Sequence, residues 1–104
     1  MEKGYKTVML HPEDSVAVAL SPIPAGAAVE VSCRGRRFTV VLRDAVEFGH
    51  KFAVVPIRKG QDVRKYGEVI GAATRDIRVG EHVHVHNVEG KRGRGDRVVR
   101  GKSS

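Results

Sequence analysis

The sequence predicts a small, mainly β domain, and three observations lead there. Apolar residues come in short β-branched or alternating runs bounded by glycine and proline. A pattern of apolar residue, two variable residues, glycine, two variable residues and apolar residue occurs four times: Ile23 to Val29, Val46 to Phe52, Ile57 to Val63 and Ile77 to Val83. No window of about ten residues carries a 3.6-residue period, so helix is limited to at most one short turn, placed at Gln61 to Tyr66. In the repeated pattern the central glycine can take positive φ in a tight turn while the two apolar residues tuck into the core on either side. The glycines are separated by 23, 11 and 20 residues, too uneven for a solenoid or propeller. What remains is a sheet folded repeatedly upon itself.

Thr7 to Leu10 reads as a first strand, ended by the turn His11-Pro12-Glu13-Asp14 with proline in its second place. Ser15 to Leu20 puts Val16, Val18 and Leu20 on one face and the small Ala17 and Ala19 on the other, which predicts a strand covered on both faces. Ser21 to Gly26 holds two prolines without donors and has to bend. Val29 to Cys33 and Arg37 to Leu42 flank Arg34-Gly35-Arg36 as a hairpin, irregular at Gly35, with Phe38, Val40 and Leu42 inward.

A chain of 104 residues with 40% apolar residues makes one domain, placed at residues 1–90, and such a domain buries only roughly 60–65% of its unfolded surface. The net charge is +7, but the glycine-laced tail at residues 91–104 carries six basic residues against Asp96 and leaves the body only +2. With five aromatic residues for stacking, this distribution argues against nucleic acid, and the tail is expected to be poorly ordered by itself. The longest nearly apolar run, Val16 to Leu20, is far short of the roughly 18 residues of a membrane span, and the expected location is cytoplasmic. Cys33 has no second cysteine to pair with and no His or Asp close in sequence, so it reads as a structural thiol. Homo-oligomerisation is left open by composition.

The chemistry concentrates in Gly80-Glu81-His82-Val83-His84-Val85-His86-Asn87. In an extended strand His82, His84 and His86 would line one face, with neighbours about 6.6 Å apart and the outer two about 13 Å apart. Zn–N bonds are about 2.0–2.1 Å, so one ion takes an adjacent pair of this row but not all three, and Asn87 is a polar neighbour. Histidine also carries protons near neutral pH, and a half-buried edge strand with an incidental histidine face is the plain alternative. Two further glycine-containing stretches place polar chemistry beside a turn: Gly49-His50-Lys51 and Lys65-Tyr66-Gly67. A lysine there can fix an anionic group and a tyrosine can hydrogen-bond a hydroxyl, so His50, Lys51 and Tyr66 are the expected substrate contacts, gathered in one cleft with the histidine row.

The order Gly49-His50-Lys51-Phe52-Ala53, Lys65-Tyr66-Gly67, Ile70-Gly71-Ala72-Ala73 and Gly80 to Asn87 resembles the N-terminal domain of altronate dehydratases, and His11 to Leu20 is similar to that family's opening strand pair. Galactarate dehydratases and sulfolactate sulfo-lyases are similar too, while the histidine-rich ending favours the altronate branch. The resemblance implies a β-clip domain of the SAF type, joined to a much larger catalytic domain or subunit. It further implies a lyase that removes water or sulfite from a sugar acid or other hydroxy acid with a divalent metal such as iron or manganese. The Arg92-Gly93-Arg94-Gly95-Asp96 ending resembles small subunits of split enzymes. Elimination beside a carboxylate needs a base, stabilisation of an enolate-like charge and an acid for the leaving group. This sequence offers no obvious three-ligand cage, so the principal metal is expected in the large partner and this chain is expected to be inactive alone. A freestanding sugar-acid or metal-binding module is the alternative.

Overall fold

The computed structural model describes residues 5–90; residues 1–4 and 91–104, including the basic tail, lie outside the described part. Nine antiparallel strands and no helix occur among the described residues: β1 (Thr7–Val8), β2 (Val16–Ala19), β3 (Ala28–Cys33), β4 (Arg36–Val41), β5 (Lys51–Ala53), β6 (Asp62–Lys65), β7 (Glu68–Ala73), β8 (His82–Val83) and β9 (Val88–Gly90). They form a four-stranded sheet in the order β1-β2-β5-β8, the hairpin β3-β4 and a three-stranded sheet β6-β7-β9. None of the described segments is a helix long and apolar enough to cross a membrane.

The four glycine patterns fold alike. In each, the residue after glycine donates its N–H three residues back: Ala27 to Pro24, His50 to Glu47, Gln61 to Arg58 and Glu81 to Arg78, at 2.9–3.3 Å. Glycine occupies the third turn position with φ of +87, +83, +89 and +90°, as a type II turn requires. The eight bracketing apolar residues are at most 2% exposed, so these turns are pinned by core burial on both flanks. They also pair with one another, Ile23 with Val46 and Ile57 with Ile77. Each pair of turns encloses a hairpin, β3-β4 in the first half and β6-β7 in the second, so the chain builds one unit twice.

Both hairpins close on two residues at positive φ, Arg34-Gly35 and Tyr66-Gly67, the requirement of a type I′ turn whose twist matches the strands. The register of β3 on β4 is regular from Ala28↔Val41 to Cys33↔Arg36, so the irregularity expected at Gly35 is absent. It falls instead between Val63 and Arg64. The helical turn expected over Gln61 to Tyr66 is strand β6, because pairing with β7 satisfies backbone groups that an isolated helical turn would leave without partners.

Strand β2 is buried along its whole length, as predicted for a strand covered on both faces. Ala17 and Ala19 pack into one apolar cluster with Ile23, Val29, Val31, Val40, Leu42 and Phe52. Val16 faces a second cluster with Ala53, Ile57, Val63, Ile77 and Val83. Leu20 is 42% exposed, since the ladder ends at Ala19. The two halves are further joined by Asp14, a buried carboxylate that accepts from the backbone N–H groups of His11 (3.2 Å), Tyr66 (3.0 Å) and Gly67 (2.8 Å). Strand β9 pairs with β7 as far as Gly90, so β structure runs to the last described residue.

Candidate functional site

Register brings the chemistry together. Strand β5 runs antiparallel to β8 with Lys51 opposite Val83 and Phe52 opposite His82, so one step beyond the ladder His50 faces His84. Directly opposed residues in an antiparallel pair share a face, and diagonal neighbours lie within reach of long or aromatic side chains. Phe52 is fully buried in the core, and the imidazoles continue its face outward to solvent. The His50 and His84 rings stack at 4.0 Å between centroids with planes 9° apart. His50 Nδ1 and His82 Nε2 are hydrogen-bonded at 2.9 Å, one nitrogen donating and the other accepting. One nitrogen of each of His50, His82 and His84 lies within 4.8 Å of the other two.

The histidine row on a single strand face is corrected by this geometry. Strand β8 ends at Val83, and residues 84–87 form a turn. Asn87 makes that turn: its Oδ1 accepts from the His84 N–H (3.0 Å), its Nδ2 donates to the His82 carbonyl (2.9 Å) and its own N–H donates to the His84 carbonyl (3.1 Å). With all these groups satisfied internally Asn87 is fully buried, whereas Val85 at the turn's tip is 82% exposed. The third member of the cluster is therefore His50 rather than His86. The exposed His86 ring lies tilted beside His82, 5.1 Å away, and its nitrogens fall outside the three-imidazole group. With His50 arriving from the Gly49 turn, three imidazoles gather that the spacing of the histidine row by itself did not offer.

Charge around the rings is mixed. Asp44 accepts from the His82 N–H at 3.0 Å, and a Glu47 carboxylate oxygen lies 3.9 Å from His50 Nε2. Burial, then His86, His50 and His84, holds the His82 pKa below the ordinary histidine value, against a pull upward from Asp44. His84 is also lowered, by burial first and then by His50, Lys51 and His86, with Glu47 opposing. Its Nδ1 is buried and has no hydrogen-bond partner. In the metal-free chain these two histidines add stability in full above the unfolded value of about 6.5, and lose it as pH falls through their lower folded values. Thermal unfolding in a chelating buffer should therefore show stability dropping below about pH 6.5, more steeply than in the double variant His82→Gln, His84→Gln. Equal slopes in the two proteins would show that these rings do not carry the effect.

Of the remaining predicted contacts, Lys51 comes near and Tyr66 does not. The pleat sends Lys51 to the other side of β5 from His50, into a cavity of about 200 Å³ lined with Ile70, His84, Val85, Val88 and Gly90. Its pKa is lowered by burial and then by the Lys65 ammonium, which suits it to gain an anionic partner. Tyr66 sits on the β6–β7 turn, tied to Asp14 by its backbone, with Lys65 Nζ 5.0 Å above its ring. Sequence reasoning missed Asp44 and Glu47, although Glu47 opens the Gly49 turn and Asp44 lies just before it.

The protein-family comparison matches residues 5–91 to the altronate/galactarate dehydratase SAF domain. This chain belongs to that family. The SAF domain is 48% identical over 80 residues to altronate dehydratase of Escherichia coli, covering 77% of this chain and 15% of that protein. It is 34% identical over 82 residues to altronate dehydratase of Bacillus subtilis, covering 79% of this chain and 16% of that protein. Against (2R)-sulfolactate sulfo-lyase subunit alpha of Chromohalobacter salexigens it is 47% identical over 51 residues, covering 49% of this chain and 54% of the relative. The SAF domain thus spans about a sixth of the altronate dehydratases it matches.

Proposed function

We propose that this chain is the accessory domain or small subunit of a cytoplasmic, metal-dependent lyase that dehydrates a sugar acid of the altronate type, working with a larger catalytic subunit. The observation that carries the reading is the convergence of His50, His82 and His84 at the open end of a domain whose family is that of altronate and galactarate dehydratases. Such an end can act as rim or lid to a partner's site. His50 would share a proton with His82, and Lys51 would meet a substrate carboxylate from its half-buried cavity. A divalent ion such as iron or manganese, held mainly by the larger subunit, would stabilise enolate-like charge and polarise the leaving hydroxyl. The likeness to a sulfo-lyase subunit alpha supports a separately encoded small subunit, and it makes sulfite the alternative leaving group.

Rigorously purified chain is expected to give no turnover of altronate, and turnover is expected when a large lyase subunit is added. His84→Ala should lower turnover of the assembled enzyme by about ten- to a hundredfold without weakening subunit association, the range seen when an orienting group is lost. Turnover by the chain alone refutes the accessory role. Sugar-acid binding without turnover in the mixture points to a freestanding binding module.

A further inference from the structure

We propose that this chain by itself binds one divalent transition ion of the zinc type through His50, His82 and His84. The inference stands on imidazole geometry and is independent of the lyase reading. Two imidazole nitrogens on a tetrahedral ion with Zn–N bonds of about 2.0–2.1 Å lie about 3.3 Å apart. In the structure the His50–His82 pair is at 2.9 Å and the whole group of three fits within 4.8 Å, so the spacing brackets what an ion needs. The donor set is entirely nitrogen, which suits zinc, cobalt, nickel and copper and disfavours magnesium and calcium, ions that take oxygen.

Three further features favour an ion over a bare imidazole cluster. His50 Nδ1 and His82 Nε2 both face the single proton of one hydrogen bond, so one of these nitrogens already offers a lone pair. His84 Nδ1 is buried without a partner, a cost that relaxation toward a ligand would remove. Asp44 and Glu47 stand at the rim and offset a dication's charge, while Lys51 on the far side opposes it and limits affinity. The rings must move. Lone pairs of two parallel stacked imidazoles lie in separate planes and cannot meet at one ion, so at least one of His50 and His84 turns about its soft terminal torsion on binding. The site is open to solvent on its outer side, which permits that turn; His50, His82 and His84 are all only partly buried.

The test uses the full 104-residue chain stripped with chelator. Calorimetric titration with Zn²⁺ should show one saturable site, and Co²⁺ should develop the visible absorption of a tetrahedral nitrogen environment. Side-chain NMR should show His50, His82 and His84 shifting on Zn²⁺ addition, a readout that requires no variant. His50→Ala, His82→Ala and His84→Ala should each weaken Zn²⁺ binding at least about tenfold, since even lost outer-shell partners cost ten- to a hundredfold. His86→Ala and His11→Ala should leave Zn²⁺ binding close to that of the wild-type chain, since neither ring supplies a nitrogen to the group of three and the His11 ring is bonded to Arg34. No saturable Zn²⁺ site overturns the proposal, as does a loss in His86→Ala or His11→Ala equal to that in His50→Ala. Unshifted ring signals in the wild-type chain overturn it as well, however the variants fold.

Discussion

Gly80→Ala is expected to cost about 3–5 kcal/mol of stability, a large share of the roughly 5–15 kcal/mol a domain possesses, and to leave much of the chain unfolded on mild heating. The residue sits at φ +90°, where an L side chain is strained by about 1–2 kcal/mol. An added Cβ would also collide with the Val41 carbonyl oxygen and lie 3.3 Å from the Arg43 nitrogen. Neither neighbour is a flexible side-chain end. Both belong to the backbone at the end of β4, which is bound to this turn by the Arg43 N–H on the Gly80 carbonyl at 2.8 Å. Gly49 has the same turn position and nearly the same φ of +83°, but a Cβ there meets nothing within 4 Å. Gly49→Ala should therefore lose only the conformational term, about 1–2 kcal/mol. Urea unfolding of the two variants side by side measures the difference. Equal losses would mean that turn conformation alone sets the cost and that packing of β4 on the Gly80 turn contributes nothing.

Asn87→Ala is expected to destabilise the domain by about 2–5 kcal/mol, because it strips partners from the His84 N–H and the His82 carbonyl and each unsatisfied buried group costs about 1–3 kcal/mol. The second consequence is functional. The side chain is what turns the backbone after Val83 and so holds His84 over His50, which makes Asn87 a positioning residue for the cluster. Asn87→Asp should not rescue: it keeps an acceptor for His84 but loses the donor and sets a carboxylate against the His82 carbonyl in a fully buried place. Denaturant midpoints give the stability change, and ring signals of His50, His82 and His84 report whether the stack has loosened. A stable Asn87→Ala variant with unchanged ring signals would show that the turn is held by its backbone hydrogen bond alone.

The sequence by itself determined the class of fold, the four glycine turns and the hairpin of β3 on β4. Those features are local: a glycine that must reach positive φ, flanked at fixed offsets by residues that must leave water, leaves few conformations open, and the offsets can be read directly. It also pointed to His50 and the Gly80 to Asn87 stretch as the places where chemistry gathers. Tertiary structure decided how those pieces meet. A strand of three histidines at every second position reads as one flat row, yet a buried Asn87 can end that strand early, because its side chain supplies the donor and acceptor that another ladder residue would have supplied. Which histidine completes the group depends on the pairing of β5 with β8, where a shift of one residue would have put His50 on the opposite face. Four glycines alike in sequence also differ in what surrounds them, and only Gly80 of these turns presses its Cα against another strand's carbonyl. Register and close approach are set by residues far apart in the chain, which is why neither could be read from spacing.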